Sequence, residues 1–160
     1  REMLCCNFKM GAFENLRMKT LDLFFVRVCV FGYSQKYSKQ EKAVLIQAKK
    51  LDSLMKNNDN SIINLFSADV SFGHSNGWIQ NLDDFKKDFT SKKVSYTEII
   101  QTEVSEIKNF KNTISLRRTI KVAGFYKNQK FEMNLAALEI WIKKKSVWKL
   151  WSRQSVEIKR

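Results

Sequence analysis

No proline occurs anywhere in this sequence, histidine occurs once, at His74, and the three cysteines, Cys5, Cys6 and Cys29, all fall within the first 29 residues. Each shortage excludes something. With a single histidine and no cysteine after Cys29, counting removes a disulfide framework, a structural zinc site and a cysteine nucleophile from the main part of the chain, unless the early segment folds back onto it. No metal site and no cofactor motif is expected. Glycine is also sparse, with five in all, yet Gly73 and Gly77 both sit in Phe72-Gly73-His74-Ser75-Asn76-Gly77-Trp78 together with the lone histidine. That stretch is the first candidate for chemistry. No apolar run is long and uninterrupted enough to span a bilayer.

What remains is a chain of one-domain size, 160 residues with 44% hydrophobic composition and twelve phenylalanines. One sizeable core is expected. The formal net charge is +13, which admits nucleic acid, an anionic surface or an acidic ligand as partner. The lysines, however, are dispersed. Their longest block, Lys143-Lys144-Lys145, falls at an expected hairpin turn, so a solvated surface explains it, and a stacking platform with interleaved basic residues for nucleic acid is lacking.

Residues 1 to 17 have no clear period and are read as an unstructured or upstream segment. Residues 18 to 35 then have the layout of a signal peptide: Met18-Lys19, a short apolar run from Leu21 to Phe31, and Gly32-Tyr33-Ser34-Gln35. Asp22 and Arg27 depart from that pattern. Export is the expectation, with a cytoplasmic core element as the alternative.

From Ser38 the periodicity is clean. Ser38 and Glu41 form a capping-box pair, and Val44, Ala48, Leu51 and Met55 recur on one helical face, predicting a helix over about 38 to 56. Ile62, Ile63, Leu65 and Phe66 predict a short second helix, and a brief strand follows over Asp69 to Phe72. Asn81 is placed to cap a third helix with Leu82, Phe85 and Phe89 on one face and Asp83 and Asp84 at its positive end. Four alternating runs, about 93 to 108, 112 to 125, 130 to 143 and 146 to 158, then predict an antiparallel meander, because the intervening turns are too short for crossovers.

Departures from alternation mark where function would sit. Arg118 is the one charge on the apolar face of its strand, beside Leu116 and Ile120, and a buried arginine needs a partner, for which Glu98 and Glu139 are the two choices if it does not bind a ligand. On the first long strand Glu98 and Thr102 share the face of Val94, Tyr96, Ile100 and Val104. The third strand is apolar on both faces; Asn134 is assigned inward with Ala136, Leu138 and Ile140, and Trp141 outward with Glu139. On the fourth, Trp148, Leu150, Ser152, Gln154, Val156 and Ile158 are assigned inward, with Trp151 and Arg153 outward.

The order of elements, the run Leu65-Phe66-Ser67-Ala68-Asp69-Val70-Ser71-Phe72-Gly73-His74-Ser75-Asn76-Gly77, the stretch Asn134-Leu135-Ala136-Ala137-Leu138-Glu139-Ile140-Trp141 and the ending Trp148-Lys149-Leu150-Trp151-Ser152-Arg153-Gln154 resemble the nuclear transport factor 2-like (NTF2-like) superfamily. Within it, the small bacterial SnoaL-like and exported members are the most similar. The resemblance covers residues 37 to 158. It implies an α+β fold in which three N-terminal helices pack on a curved antiparallel sheet, a cystatin-like cone. It also implies a homodimer through the outer sheet face, here Trp141 and Trp151, and a ligand pocket between helices and sheet. In this fold the short strand before the histidine lies beside the last long strand, which brings His74 near Gln154.

Fold of this kind specifies architecture better than chemistry. The pocket is expected to hold a small, partly apolar, anionic molecule between His74, Trp78, Phe85, Tyr96, Arg118, Asn134 and Gln154. An enzyme of isomerase, cyclase or dehydratase type is the alternative, with His74 or Glu98 as base and Arg118 stabilising an oxyanion. A dimeric scaffold with a filled pocket is the third reading. Ser75 lacks a paired base and is not a nucleophile candidate.

Overall fold

The computed structural model describes residues 37 to 159. The segments 1 to 17 and 18 to 35, including the expected signal peptide, lie outside the described residues.

The first helix, α1, is Lys39–Lys56, and the capping box is complete: the Ser38 hydroxyl accepts from Glu41 N–H while the Glu41 carboxylate accepts from Ser38 N–H at 2.7 Å. Its buried face carries Val44, Ala48, Leu51 and Met55, and also Asp52. The expected second helix is a six-residue 3-10 helix, Asn60–Leu65, started by Asp59 accepting from Ser61 N–H. Six residues after a run of four Asn/Asp are too few to sustain α-helical bonding. The third helical element, α2, is Leu82–Thr90, capped by Asn81, whose side chain accepts from both Asp83 and Asp84 N–H. Two α-helices and one 3-10 helix therefore stand where three helices were expected.

The strands are β1 Phe66–Gly73, β2 Ile79–Gln80, β3 Val94–Phe110, β4 Thr113–Tyr126, β5 Gln129–Lys144 and β6 Val147–Glu157. They form one sheet in the order β2-β1-β6-β5-β4-β3, in which β1 runs parallel to β6 and every other pair is antiparallel. Lys127-Asn128 and Lys145-Ser146 make the last two turns with positive φ at both residues. This is the backbone sense that two-residue hairpins require, and it closes the meander at the expected places. Helices and inner sheet face enclose the main core, in which Leu51, Ile62, Phe72, Phe85, Leu116 and Trp141 meet. The architecture is an α+β fold with a curved, open sheet.

Bulges overturn the assignment of faces on two strands. In β3 the register shifts between Tyr96 and Glu98 and again between Gln101 and Glu103, so the inward set changes from Val94 and Tyr96 to Ile99 and Gln101. Glu98 and Thr102 consequently leave the inner face. In β6 the shift lies opposite Ile140 and Trp141: Leu150 pairs with Trp141, and Ser152 with Ile140. One residue is gained there, so Trp148 and Leu150 point inward before the bulge, and Arg153 and Ser155 after it. An extra residue necessarily inverts a period-two pattern.

The β5 assignment is inverted along its whole length. Leu135, Ala137, Glu139 and Trp141 are buried, whereas Asn134 and the residues in phase with it face outward. Trp141, expected at a dimer face, has no solvent exposure at all. Both faces of β5 are apolar in sequence, so alternation carried no information about which one is inner.

Candidate functional site

A buried charge network fills the middle of the inner face. Arg118 projects from β4 and donates through Nη1 and Nη2 to the two carboxylate oxygens of Asp52 on α1, at 2.5 and 2.8 Å. Its Nε and Nη2 also donate to Oε1 of Glu139 on β5, at 3.1 and 2.7 Å. The other Glu139 oxygen accepts from the Trp141 indole at 3.0 Å. Burial opposes the Arg118 charge, but Glu139 and Asp52 outweigh it and hold the guanidinium above its usual value. Arg118 is thus a saturated tie between helix and sheet. It has the buried ion-pair role, with Glu139 as one of the two partners considered.

Beside it stands a second buried arginine with poorer company. Arg153, turned inward by the β6 bulge, packs over the Phe72 ring at 4.9 Å from its centroid. Its Nε is 3.8 Å from Glu139 Oε1 and has no hydrogen-bond partner among the described residues. Burial lowers its proton affinity, Glu139 offsets only part of that, and neighbouring Arg118 adds to the lowering. Arg153 lines a cavity of about 380 Å³ together with Tyr96, Phe131, Met133 and Ser155. Asp52 and Lys130 are the other charged residues of that wall. Both Asp52 oxygens already accept from Arg118, and Glu139, which also holds Arg118, stands 3.8 Å from Arg153, so the two arginines and two carboxylates balance in formal charge and Arg153 is the member held by the fewest hydrogen bonds among the described residues.

The rim of the site is built by the stretch that ends β1. His74 N–H donates to the Trp78 carbonyl at 2.8 Å and Gly77 N–H to the His74 carbonyl at 3.1 Å, with Gly77 at φ +87°. Gly77 supplies the left-handed turn. Gly73 serves a different need: a Cβ there would collide with the Gln154 amide and the Arg153 carbonyl. Gln154 indeed pairs with Gly73 across β1 and β6, and its side chain donates to the His74 carbonyl at 3.0 Å. The close approach is to the Gln154 side chain and the Arg153 carbonyl.

The imidazole is held by its own chain of partners. Gln80 donates from Nε2 to Asp88 at 3.0 Å, so its Oε1 faces His74 Nε2 at 2.6 Å. An acceptor-only carboxylate fixes the amide, and the amide then requires a proton on Nε2. Nδ1 carries the lone pair of the neutral ring. Burial lowers the His74 pKa, the Gln80 bond works against that, Arg153 adds to it and Asp88 opposes it. The ring stacks on Trp78 with centroids 5.1 Å apart. It lines both the Arg153 cavity and a second one, of about 470 Å³, walled by Trp78, Phe85 and Phe89.

Of the residues singled out in the sequence, His74, Trp78, Phe85 and Tyr96 come together around these cavities. Arg118 is 1% exposed and sealed behind them. Asn134 is on the opposite face of the sheet, Gln154 braces the rim from behind, and Glu98 lies 3.5 Å from Lys121 on the outer side. Sequence reasoning missed Asp52, Gln80, Asp88 and Arg153. Asp52 was open to detection, since it stands one residue after Leu51 and four after Ala48, on the buried face of α1. Arg153 was not, because its inward turn depends on the bulge.

Solved structures with the same fold share little sequence with this chain. An NTF2-like protein from Cytophaga hutchinsonii superposes with a TM-score of 0.70 at 19% identity, over 76% of this chain and 100% of that one. A ketosteroid isomerase-like protein from Erwinia carotovora atroseptica gives 0.66 at 11%, over 78% and 100%. A protein with a cystatin-like fold from Caulobacter vibrioides gives 0.62 at 11%, over 74% and 89%. No family model matches the sequence, and no curated protein matches it. The fold is therefore NTF2-like, as the sequence resemblance implied.

Proposed function

We propose that this domain binds a small organic anion, with Arg153 as its counter-ion. One observation carries the reading: a guanidinium buried in an apolar wall, its Nε without a hydrogen-bond partner among the described residues, borders a cavity of about 380 Å³. Such a group is costly to bury unpaired, and a carboxylate matches its fork of donors. The cavity volume lies within the range that small ligands occupy, roughly 300–1,000 Å³. Binding is favoured over carboxylate-driven proton transfer, because Asp52 has both oxygens committed to Arg118 and Glu98 lies outside.

The test is a thermal-shift and calorimetric panel of small carboxylates against the full chain and Arg153→Gln. Saturable binding lost in the variant, and absent for the matching amides, is the expected result. Amides that bind as well as acids, or an Arg153→Gln protein that binds unchanged, would sink this reading.

The outer sheet face supports a second proposal, that the chain forms a homodimer there. Trp151 and Val156 are 43% and 58% exposed, and Ala136 lies opposite Val156 on β5. Exposed apolar side chains on this face give it the composition of an interaction surface.

A further inference from the structure

The two cavities share His74, Phe72, Tyr96 and Tyr126 as walls, so they are adjoining halves of one cleft. Their chemistry differs sharply. The first half ends on Arg153, with Ser155 beside it. The second half is aromatic: Phe85 and Phe89 stack with centroids 5.4 Å apart, and Trp78 stacks on His74. Its charged rim residues, Asp88 and Lys93, pair with each other at 3.3 Å, and Asp88 also accepts from Gln80. That mutual pairing leaves the aromatic half electrically quiet, so an anion is drawn to Arg153 and not to Lys93.

We propose that the cleft selects an arylalkanoate, a carboxylate joined through a short chain to an aromatic ring. The carboxylate meets Arg153 and the ring packs among Trp78, His74 and Phe89. This rests on the preceding assignment of Arg153 as anion site and adds the identity of the other end. Flat walls of this kind favour a ring over an alkyl chain, since offset or edge-to-face aromatic pairs attract each other beyond what area burial alone gives. Half-exposed Trp78 is the wall whose removal least disturbs the fold.

The experiment is isothermal titration of the full chain with phenylacetate, phenylpropionate and phenylbutyrate against hexanoate and octanoate. One of the aryl acids is expected to bind about tenfold more tightly than either aliphatic acid, a difference of about 1.4 kcal/mol. Trp78→Ala should erase that preference by weakening the aryl acids more than hexanoate, and Arg153→Gln should abolish binding of both. Equal affinity of aryl and aliphatic acids overturns the arylalkanoate assignment and leaves the anion site standing. An aryl preference that survives Trp78→Ala overturns it as well, because the ring would then sit elsewhere. If no carboxylate of either kind binds, both readings fall.

Discussion

The two buried arginines make opposite demands on stability, and substituting each by methionine separates them. Arg118→Met removes the four short donations that hold Asp52 and Glu139, leaving two carboxylates buried close together. Breaking a buried pair this way costs about 3–5 kcal/mol, which for a domain of this size lowers Tm by roughly 10–20 °C. Arg153→Met does the reverse. It withdraws a buried charge whose Nε lacks a partner, while Glu139 keeps its Arg118 and Trp141 bonds and the thioether can still pack on Phe72. Its expected effect is within about 1 kcal/mol of the parent, or stabilising, as when buried ion pairs give way to apolar groups. Urea titration followed by tryptophan fluorescence and far-ultraviolet dichroism measures both, with m-values compared to confirm that two-state behaviour holds. Should Arg118→Met fail to fold, Asp52→Leu in the same background supplies the control, because it removes one stranded carboxylate and should recover part of the loss. Comparable losses of about 3 kcal/mol or more in both single variants would refute the reasoning, since Arg153 would then be a structural tie and not a group held ready for an anion.

Three further outcomes follow from the geometry. Burial lowers the His74 pKa from 6.5, so the unfolded chain binds more protons just below that pH. The stability His74 contributes is therefore complete above about 6.5 and lost as pH falls through the lowered value; His74→Gln should flatten the stability profile on that acid side, and an unchanged slope would refute the link. Gly124→Ala places a Cβ against the Ser95 carbonyl of β3, where only backbone could yield. A loss of about 1–3 kcal/mol in chemical denaturation is expected, and a neutral effect would show that the β3 bulge relaxes. Trp151→Lys puts a charge on the outer face, and sedimentation velocity should report a shift from dimer to monomer; a dimer that persists would place the interface elsewhere.

Capping and periodicity were legible wherever a local rule applies. Ser38, Glu41 and Asn81 start their helices as their side-chain chemistry requires, and the four alternating runs end within about two residues of β3 to β6, because hairpin turns are local too. Arg118 was readable as an inward charge for the same reason, since β4 keeps its period throughout its inner residues. The candidate site was less legible. Its histidine, Trp78, Phe85 and Tyr96 were found from composition and spacing, but the arginine that defines its charge was assigned to the wrong side.

The reason lies in how β-sheets store information. Sequence by itself determined the starts of the two α-helices, the four long strands, the turns between them and the presence of a buried arginine, all set by interactions among residues close in the chain. Only tertiary structure decided which face of β5 is inner, because both faces are apolar and the choice is made by what packs against them. It alone decided that Asp52 and Glu139 saturate Arg118, through contacts 66 and 21 residues apart. A single extra residue in β6, accommodated against β5, turned Arg153 from the surface into the wall of the cleft. That displacement, invisible to a period of two, is what gives the pocket its charge.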